Sequence, residues 1–365
     1  MLFANKPFVP HSLFNGGHAQ TLAAFAWPRR RRYKAKDEER IFNLPGDIKL
    51  LGHCRWQLNR LKHPTIIIWH GIEGSSASTY MLSTAHKAFV RGFNVIRMNL
   101  RSCGGTEHLA EKTYHGGLTE DLRFVVSELI EHDGLARLFL VGFSLGGNLV
   151  LKLAGEYGDD APEEVIACGA VSPSVDLQAS AQLIMKRSNW LYHRDFVHRL
   201  KQRAERNRKL FSKQWDRGEL RRIRTIREFD DQFTARAHGF NGVDDYYNQS
   251  SSLRVIHRIQ IPTLIIHAED DPFIPFAPLR NPAVTENPNI LLIATAHGGH
   301  VAFISAKPQQ LNYKLDDTET SVLSTQHSAL PGEDRFWAEN RVIEFCALAE
   351  SMLAVAPDGG TSNEG

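Results

Sequence analysis

The amino-acid sequence predicts an α/β architecture: a mostly parallel central sheet with helices on both faces, interrupted by one helical insertion. Three observations carry the prediction. Six short apolar runs rich in β-branched residues recur along the chain, helix-spaced segments separate most of them, and the alternation fails once, between Asp176 and Ile261. Runs without polar alternation suit strands covered on both sides, and strands that alternate with helices build parallel sheets.

In chain order, Glu39 to Trp56 reads as an antiparallel hairpin broken at Pro45-Gly46-Asp47. The buried strands are expected at Thr65–Trp69, Asn94–Leu100, Leu138–Val141, Val165–Val171, Thr263–Ile266 and Asn289–Ile293. Leu118–Glu131 and Leu145–Tyr157 have helical spacing. The interval 176–260 is too long for a loop, and it is charged rather than Gly/Ser-rich, so it reads as a helical cap or lid over the C-terminal edge of the sheet, where open α/β sheets bind ligands. The expected organisation is a core in two parts, 1–175 and 261–355, the insertion 176–260, and a disordered polar tail, 356–365.

With 365 residues and 42% hydrophobic content the chain can bury a large core. The N-terminal MLFANKPFVPHSLFNGG lacks an apolar h-region, and nowhere do about eighteen apolar residues run together, so neither secretion nor membrane spanning is expected and the default location is the cytoplasm. Cys54, Cys103, Cys168 and Cys346 lie far apart with no C-x-x-C spacing, which speaks against a disulfide framework or structural zinc. The net charge of +2 is unevenly spread: Lys186 to Arg227 holds fifteen Lys or Arg against four Asp or Glu. No nucleic-acid partner is expected, and the oligomeric state is left open.

The chemistry centres on Val141 to Asn148, VGFSLGGN. If a strand ends here and a helix starts at Leu145, the turn crowds its central residue, and glycines at 142 and 146 remove the Cβ atoms that would clash. Ser144 then projects at a helix N-terminus as a candidate nucleophile. A G-x-S-x-G string alone is weak; the strand before it and the apolar helix after it give it weight. The base is expected past a later strand: His300 in AHGGH, with His297 as its rival, because the glycines before His300 suit a tight loop. The acid is expected in HAEDDPFIP, at Asp271 in preference to Asp270, with Asp176 as a structural alternative. Two backbone donors are needed for an oxyanion, and they are expected at Leu145 N–H and at Ile72 N–H in the turn His70 to Gly74. His70 and Glu73 are expected to shape that turn. No metal or organic cofactor is called for.

The strings HGIEGSSASTY, NLRSCGGTE, YHGGLTEDL, VGFSLGGN, GFNGVDDYYNQSS, AEDDPFIP and GGHVAF, with GGHAQT near the N-terminus, together resemble the YheT-like branch of the α/β-hydrolase superfamily over nearly the whole chain. The resemblance implies the α/β-hydrolase fold, a triad at Ser144, Asp271 and His300, and hydrolysis of carboxylesters with short to medium acyl chains or of lipid esters. Many eukaryotic members carry an N-terminal membrane anchor, of which this sequence shows no sign. At NLRSCGGTE, Ser102 and Gly105 exchange residue types with the family's RGCSG, and His115 to Asp121 lacks the H-x-x-x-x-D of some acyltransferases. Two rival functions are an acyltransferase using the same serine and a catalytically silent binding module. The basic stretch is read as a solvated helix face or as a site for anionic headgroups, using Arg199, Lys201, Arg203, Arg206 and Arg208 beside Trp190, Leu191, Tyr192 and Phe196.

Overall fold

A computed structural model describes residues 6–27, 37–211, 217–306 and 334–355; the tail 356–365 lies outside the described residues. The eight strands are β1 (Glu38–Leu44), β2 (Ile48–Arg55), β3 (Thr65–Trp69), β4 (Asn94–Met98), β5 (Leu138–Phe143), β6 (Val165–Val171), β7 (Thr263–Ala268) and β8 (Ile290–Thr295), in the sheet order β1-β2-β4-β3-β5-β6-β7-β8. β1 and β2 form the expected hairpin, with Leu44 opposite Ile48, and β2 runs antiparallel to β4. Every other pairing is parallel. β5 and β7 run two residues beyond the expected ends because the ladder continues, pairing Phe143 with Val171 and Ala268 with Thr295.

Helix α1 (Gly17–Ala26) precedes the sheet; α2 (Thr79–Val90), α3 (Thr119–Glu131) and α4 (Leu145–Tyr157) follow β3, β4 and β5. Between β6 and β7 come α5 (Leu177–Ile184), α6 (Trp190–Leu210), α7 (Arg217–Arg222), α8 (Ile226–Phe229), α9 (Arg236–His238) and α10 (Val243–Ser250). Then α11 (Pro282–Thr285) precedes β8, and α12 (Trp337–Val355) follows it.

Alternation along the strands explains why their sequences are apolar throughout. Ile67, Trp69, Leu138 and Leu140 face one core with Leu122 of α3 and Leu149 of α4. Their neighbours Ile66, Ile68, Phe139 and Val141 face another with Met81 of α2 and Val342 of α12. Both faces are buried, so an unpartnered polar side chain at Ile66, Ile67 or Ile68 would be costly, and truncating a buried ring such as Phe139 to Ala costs about 3–5 kcal/mol. The helices between β6 and β7 gather a smaller core of their own, in which Val197, Leu200 and Phe229 meet Phe273 and Ile274 from the loop after β7. Among the described residues no helix is long and apolar enough to cross a membrane.

Candidate active site

Because β3 to β8 are parallel, the loops that follow them emerge at one edge, and the candidate residues are brought there from four strands. Ser144 sits between β5 and α4 with φ 54 and ψ −118, far from the basins an L-residue prefers. The flanking glycines make this turn sterically possible. A Cβ on Gly142 would stand 2.1 Å from the Gly146 carbonyl oxygen, and one on Gly146 would stand 2.4 Å from that of Trp69. Asn148, one turn into α4, ties the site's floor together by donating to Gly116 O and Ser250 O and accepting from Ser252 N.

The structure brings Ser144, His300 and Asp271 into one line. His300 Nε2 lies 3.0 Å from Ser144 Oγ, and His300 Nδ1 lies 2.8 Å from Asp271 Oδ2. The other Asp271 oxygen accepts from the Phe273 and Ile274 N–H groups at 2.8 and 3.0 Å. Burial alone would raise the Asp271 carboxyl, but the contact with His300, His267 nearby and the Phe273 N–H more than offset it and hold the group below the ordinary aspartate value. The alternatives fall elsewhere. Asp270 holds His297 Nδ1 at 3.1 Å and the Gly299 N–H at 2.9 Å, and Asp176 caps α5 by accepting from Ala179 N.

The segment that presents His300 is held in positive φ at Gly299, Val301 and Phe303, a conformation costly for a β-branched and an aromatic residue. Tertiary hydrogen bonds fix it. The His300 N–H donates to Thr21 Oγ1 at 2.9 Å, the Val301 N–H donates to Ser172 Oγ at 3.1 Å, and Gln20 bonds both the N–H and the carbonyl of Ile304. Thr21 and Gln20 lie on α1. The residue-by-residue reading missed them, and only the family likeness of GGHAQT pointed at that stretch.

The turn after β3 is built as tightly. The imidazole of His70 is fully buried, with Nδ1 at 2.7 Å from Gly71 O and Nε2 accepting from the Leu100 N–H, while Tyr80 OH accepts from the Gly71 N–H. Glu73 takes a left-handed φ of 51. Its N–H donates to Tyr114 OH, which donates in turn to Glu73 Oε1 at 2.9 Å, and Arg203 Nε donates to the same oxygen at 2.7 Å. Ile72, between these anchors, lines the cavity with Ser144, Leu145 and His300.

Arg203 corrects the reading of the basic stretch. It is only 3% exposed and lies on the buried stripe of α6 with Val197, Leu200, Ala204 and Asn207, so it does not belong to a solvated or lipid-facing set. Three of the other four also have carboxylate partners: Arg199 pairs with Asp195, Arg206 with Glu107 and Arg208 with Glu205. Lys201 donates to the Arg221 and Ile223 carbonyls. Tyr192 and Phe196 pack their rings on Phe273, leaving Trp190 and Leu191 outside. The apolar period of α6 was the signal that could have found Arg203; composition drowned it. Arg203→Met should destabilise the fold by about 3–5 kcal/mol because it strands the Glu73 carboxylate in a buried site, and Arg203→Met with Glu73→Gln should recover most of that loss in urea unfolding.

The cavity over Ser144 is largely apolar, lined by Leu177, Ile184, Phe196, Leu200 and Ile226 among others, with about 80 Å³ of free space. Its polar end is Asp230, whose carboxylate accepts from Tyr247 OH and Thr234 Oγ1 and whose pKa burial pushes up to about 6. His115 stands near it, edge-on to His238 at 4.4 Å between centroids. Burial lowers four histidines around the site, His70 and His238 to about 4, His115 well below its ordinary value and His267 below it. Each binds a proton more readily in the unfolded chain, so its contribution to stability is complete above the ordinary value of 6.5 and is lost as pH falls toward 4. Asp230, raised to about 6, acts in the opposite direction over the same range but is outnumbered by the histidines, so the urea midpoint should decline between about pH 6.5 and 4, before Asp271 titrates; a flat profile there would contradict it. Among the described residues no group of three or more His, Cys, Asp or Glu is placed to hold a metal ion.

A doubly covered parallel sheet with a serine at the strained turn after β5 defines the class, an α/β hydrolase. The family model described as alpha/beta hydrolase fold matches residues 64–307. The chain belongs to this family, in its YheT-like branch, and is a hydrolase enzyme. It is 34% identical over 332 residues to the YheT protein of Escherichia coli (strain K12), an esterase by name, covering 88% of this chain and 96% of that one. It is 31% identical over 252 residues to Phospholipase ABHD3 of Mus musculus, covering 68% of this chain but only 61% of that protein's length. Among solved structures, the 2,6-dihydroxy-pseudo-oxynicotine hydrolase matches with a TM-score of 0.52 at 17% identity, over 79% of this chain and 73% of that one, a likeness of fold alone.

Proposed function

We propose that this hydrolase is a serine carboxylester hydrolase acting on short- to medium-chain acyl esters or lipid-derived esters, with Ser144 as nucleophile, His300 as base and Asp271 as its acid partner. The observation that carries the reading is the Ser144–His300–Asp271 line at 3.0 and 2.8 Å. With Asp271 accepting from Nδ1–H, Nε2 is free to take the serine proton as Oγ attacks the ester carbonyl. The N–H groups of Ile72 and Leu145 take the oxyanion, His300 returns the proton to the departing alcohol, and water repeats the sequence to free the acid. The apolar lining of the cavity supports a substrate with a hydrocarbon acyl chain.

The residues 176–260 act as a cap on this site, closing it through the α6 contacts. A small ester or lipid substrate and peripheral contact with an anionic lipid surface belong to the same proposal. So does a cytoplasmic location, which the four free, buried thiols support. The test is a panel of nitrophenyl esters of rising acyl length, run with and without an added alcohol. Turnover that peaks at short to medium chains and yields free acid supports the reading; ester exchange dominating over acid would assign the acyl-enzyme to transfer instead.

A further inference from the structure

α1 has two working sides. Its inner side gives Thr21 and Gln20 to the His300 segment, as described above. Its outer stripe, His18, Leu22 and Phe25, follows the helical period and turns away from the protein, with Leu22 57% and Phe25 77% exposed. The start of α6 lies alongside. Tyr192 stacks on His18 with ring centroids 5.7 Å apart and 9° between planes, and beside Tyr192 stand Trp190, 55% exposed, and Leu191, 64% exposed. From this surface a run of ring contacts leads inward: Tyr192 meets Phe273 at 4.7 Å, and Phe273 meets His300 at 4.9 Å. Single exposed apolar side chains are ordinary, but four large ones on two touching helices, three ring contacts from a catalytic histidine, form a face.

The charge around this face is mostly positive, and its exposed carboxylate, Asp195, is paired with Arg199. Lys186, Arg187 and Arg194 are exposed on the stretch that holds Trp190 and Leu191. Trp190 is also on the rim of an open groove between α6 and α7 that is lined by Arg194, Lys201, Arg217, Arg221 and Arg224. Glu205 is the one carboxylate on that groove among the described residues, and it is already engaged by Arg208. A basic groove that includes exposed Trp190, next in sequence to exposed Leu191 and on a helix in contact with the α1 that carries Leu22 and Phe25, matches a surface that offers phosphates above hydrocarbon.

We propose that the outer faces of α1 and early α6 dock on an anionic lipid bilayer, with Leu22, Phe25, Trp190 and Leu191 set among the headgroups and the groove arginines against their phosphates. The docking rests on the hydrolase reading only for its purpose, which is to set the His300 side of the site against the membrane that supplies a lipid ester. It differs from the surface read off the sequence, since Arg203 points inward and α1 was no part of that reading. Sedimentation of the full chain with vesicles tests it, using phosphatidylcholine alone or with about 30% phosphatidylserine, at low and high salt. The parent should bind the anionic vesicles at low salt and weaken about tenfold or more at high salt. Leu22→Ser with Phe25→Ser, and separately Trp190→Ser with Leu191→Ser, should each weaken binding about tenfold while turnover of a soluble nitrophenyl ester stays within about twofold of the parent. Arg194→Gln with Arg221→Gln and Arg224→Gln should weaken binding and flatten its salt dependence. A parent that stays in the supernatant overturns the proposal. So do apolar variants that bind like the parent, which would leave the groove as a site for free polyanions. Soluble-ester turnover reports the hydrolase and the vesicles report the face, so either can fail alone.

Discussion

Ser144→Ala is expected to lower ester turnover by roughly five to six orders of magnitude and to abolish labelling by a fluorophosphonate probe, with an unchanged urea midpoint. The substitution removes one oxygen, the atom 3.0 Å from His300 Nε2, and leaves the turn's shape to Gly142, Gly146 and the pairing of β5. Alanine is no worse than serine at φ 54, so the fold loses nothing by the change. The large factor follows because base and acid have no second nucleophile to activate, and what survives comes from electrostatic stabilisation in the pocket. Residual turnover within about tenfold of the parent would remove Ser144 from the reaction.

Asp271→Asn should cost roughly four orders of magnitude in kcat with substrate binding little changed. The reason is directional. One carboxylate oxygen is already committed to the Phe273 and Ile274 N–H groups, so the asparagine carbonyl must stay there and its NH2 must turn toward His300 Nδ1. That donor forces the imidazole proton onto Nε2, where it faces Ser144 and cannot accept. Asp270→Asn keeps an acceptor for the Gly299 N–H, and Asp176→Asn keeps a good helix cap, so both should change kcat by less than about threefold. Comparable losses at Asp271 and Asp176 would mean that the acid is misassigned.

Where sequence and structure agree, the physics is local or two-sided. Thr65–Trp69 and Val165–Val171 match their strands to the residue because burial on both faces makes them apolar throughout apart from the hydrogen-bonded Thr65, and polar or turn residues bound them. Leu145–Tyr157 matches its helix because the glycine turn fixes its start and Gly158, at positive φ, its end. The preference for Asp271 over Asp270 rested on loop position, and the hydrogen bonds separate the two by their partners. What stayed hidden was tertiary. α1 opens on Gly17 with no side-chain cap, and its importance lies in hydrogen bonds to residues some 280 positions away, which no local pattern encodes. Arg203 was obscured in another way: a burial period ran beneath a run of charges, and the count of charges prevailed over the spacing.

The Glu73–Arg203 contact also bears on how such enzymes can diverge. Tyr114 and the turn that carries Ile72 belong to the sheet's own loops, whereas Arg203 belongs to the insertion, and the two are joined through one carboxylate oxygen. The insertion is therefore not a detachable accessory that evolution or an engineer can exchange at its two ends. A replacement without a cation at the place of Arg203 would leave the Glu73 carboxylate a lone buried charge in the turn that carries Ile72. Lineages that remodel the insertion are thus expected to change the residue at position 73 in the same step, and chimaeras made by grafting should fail until position 73 is made neutral.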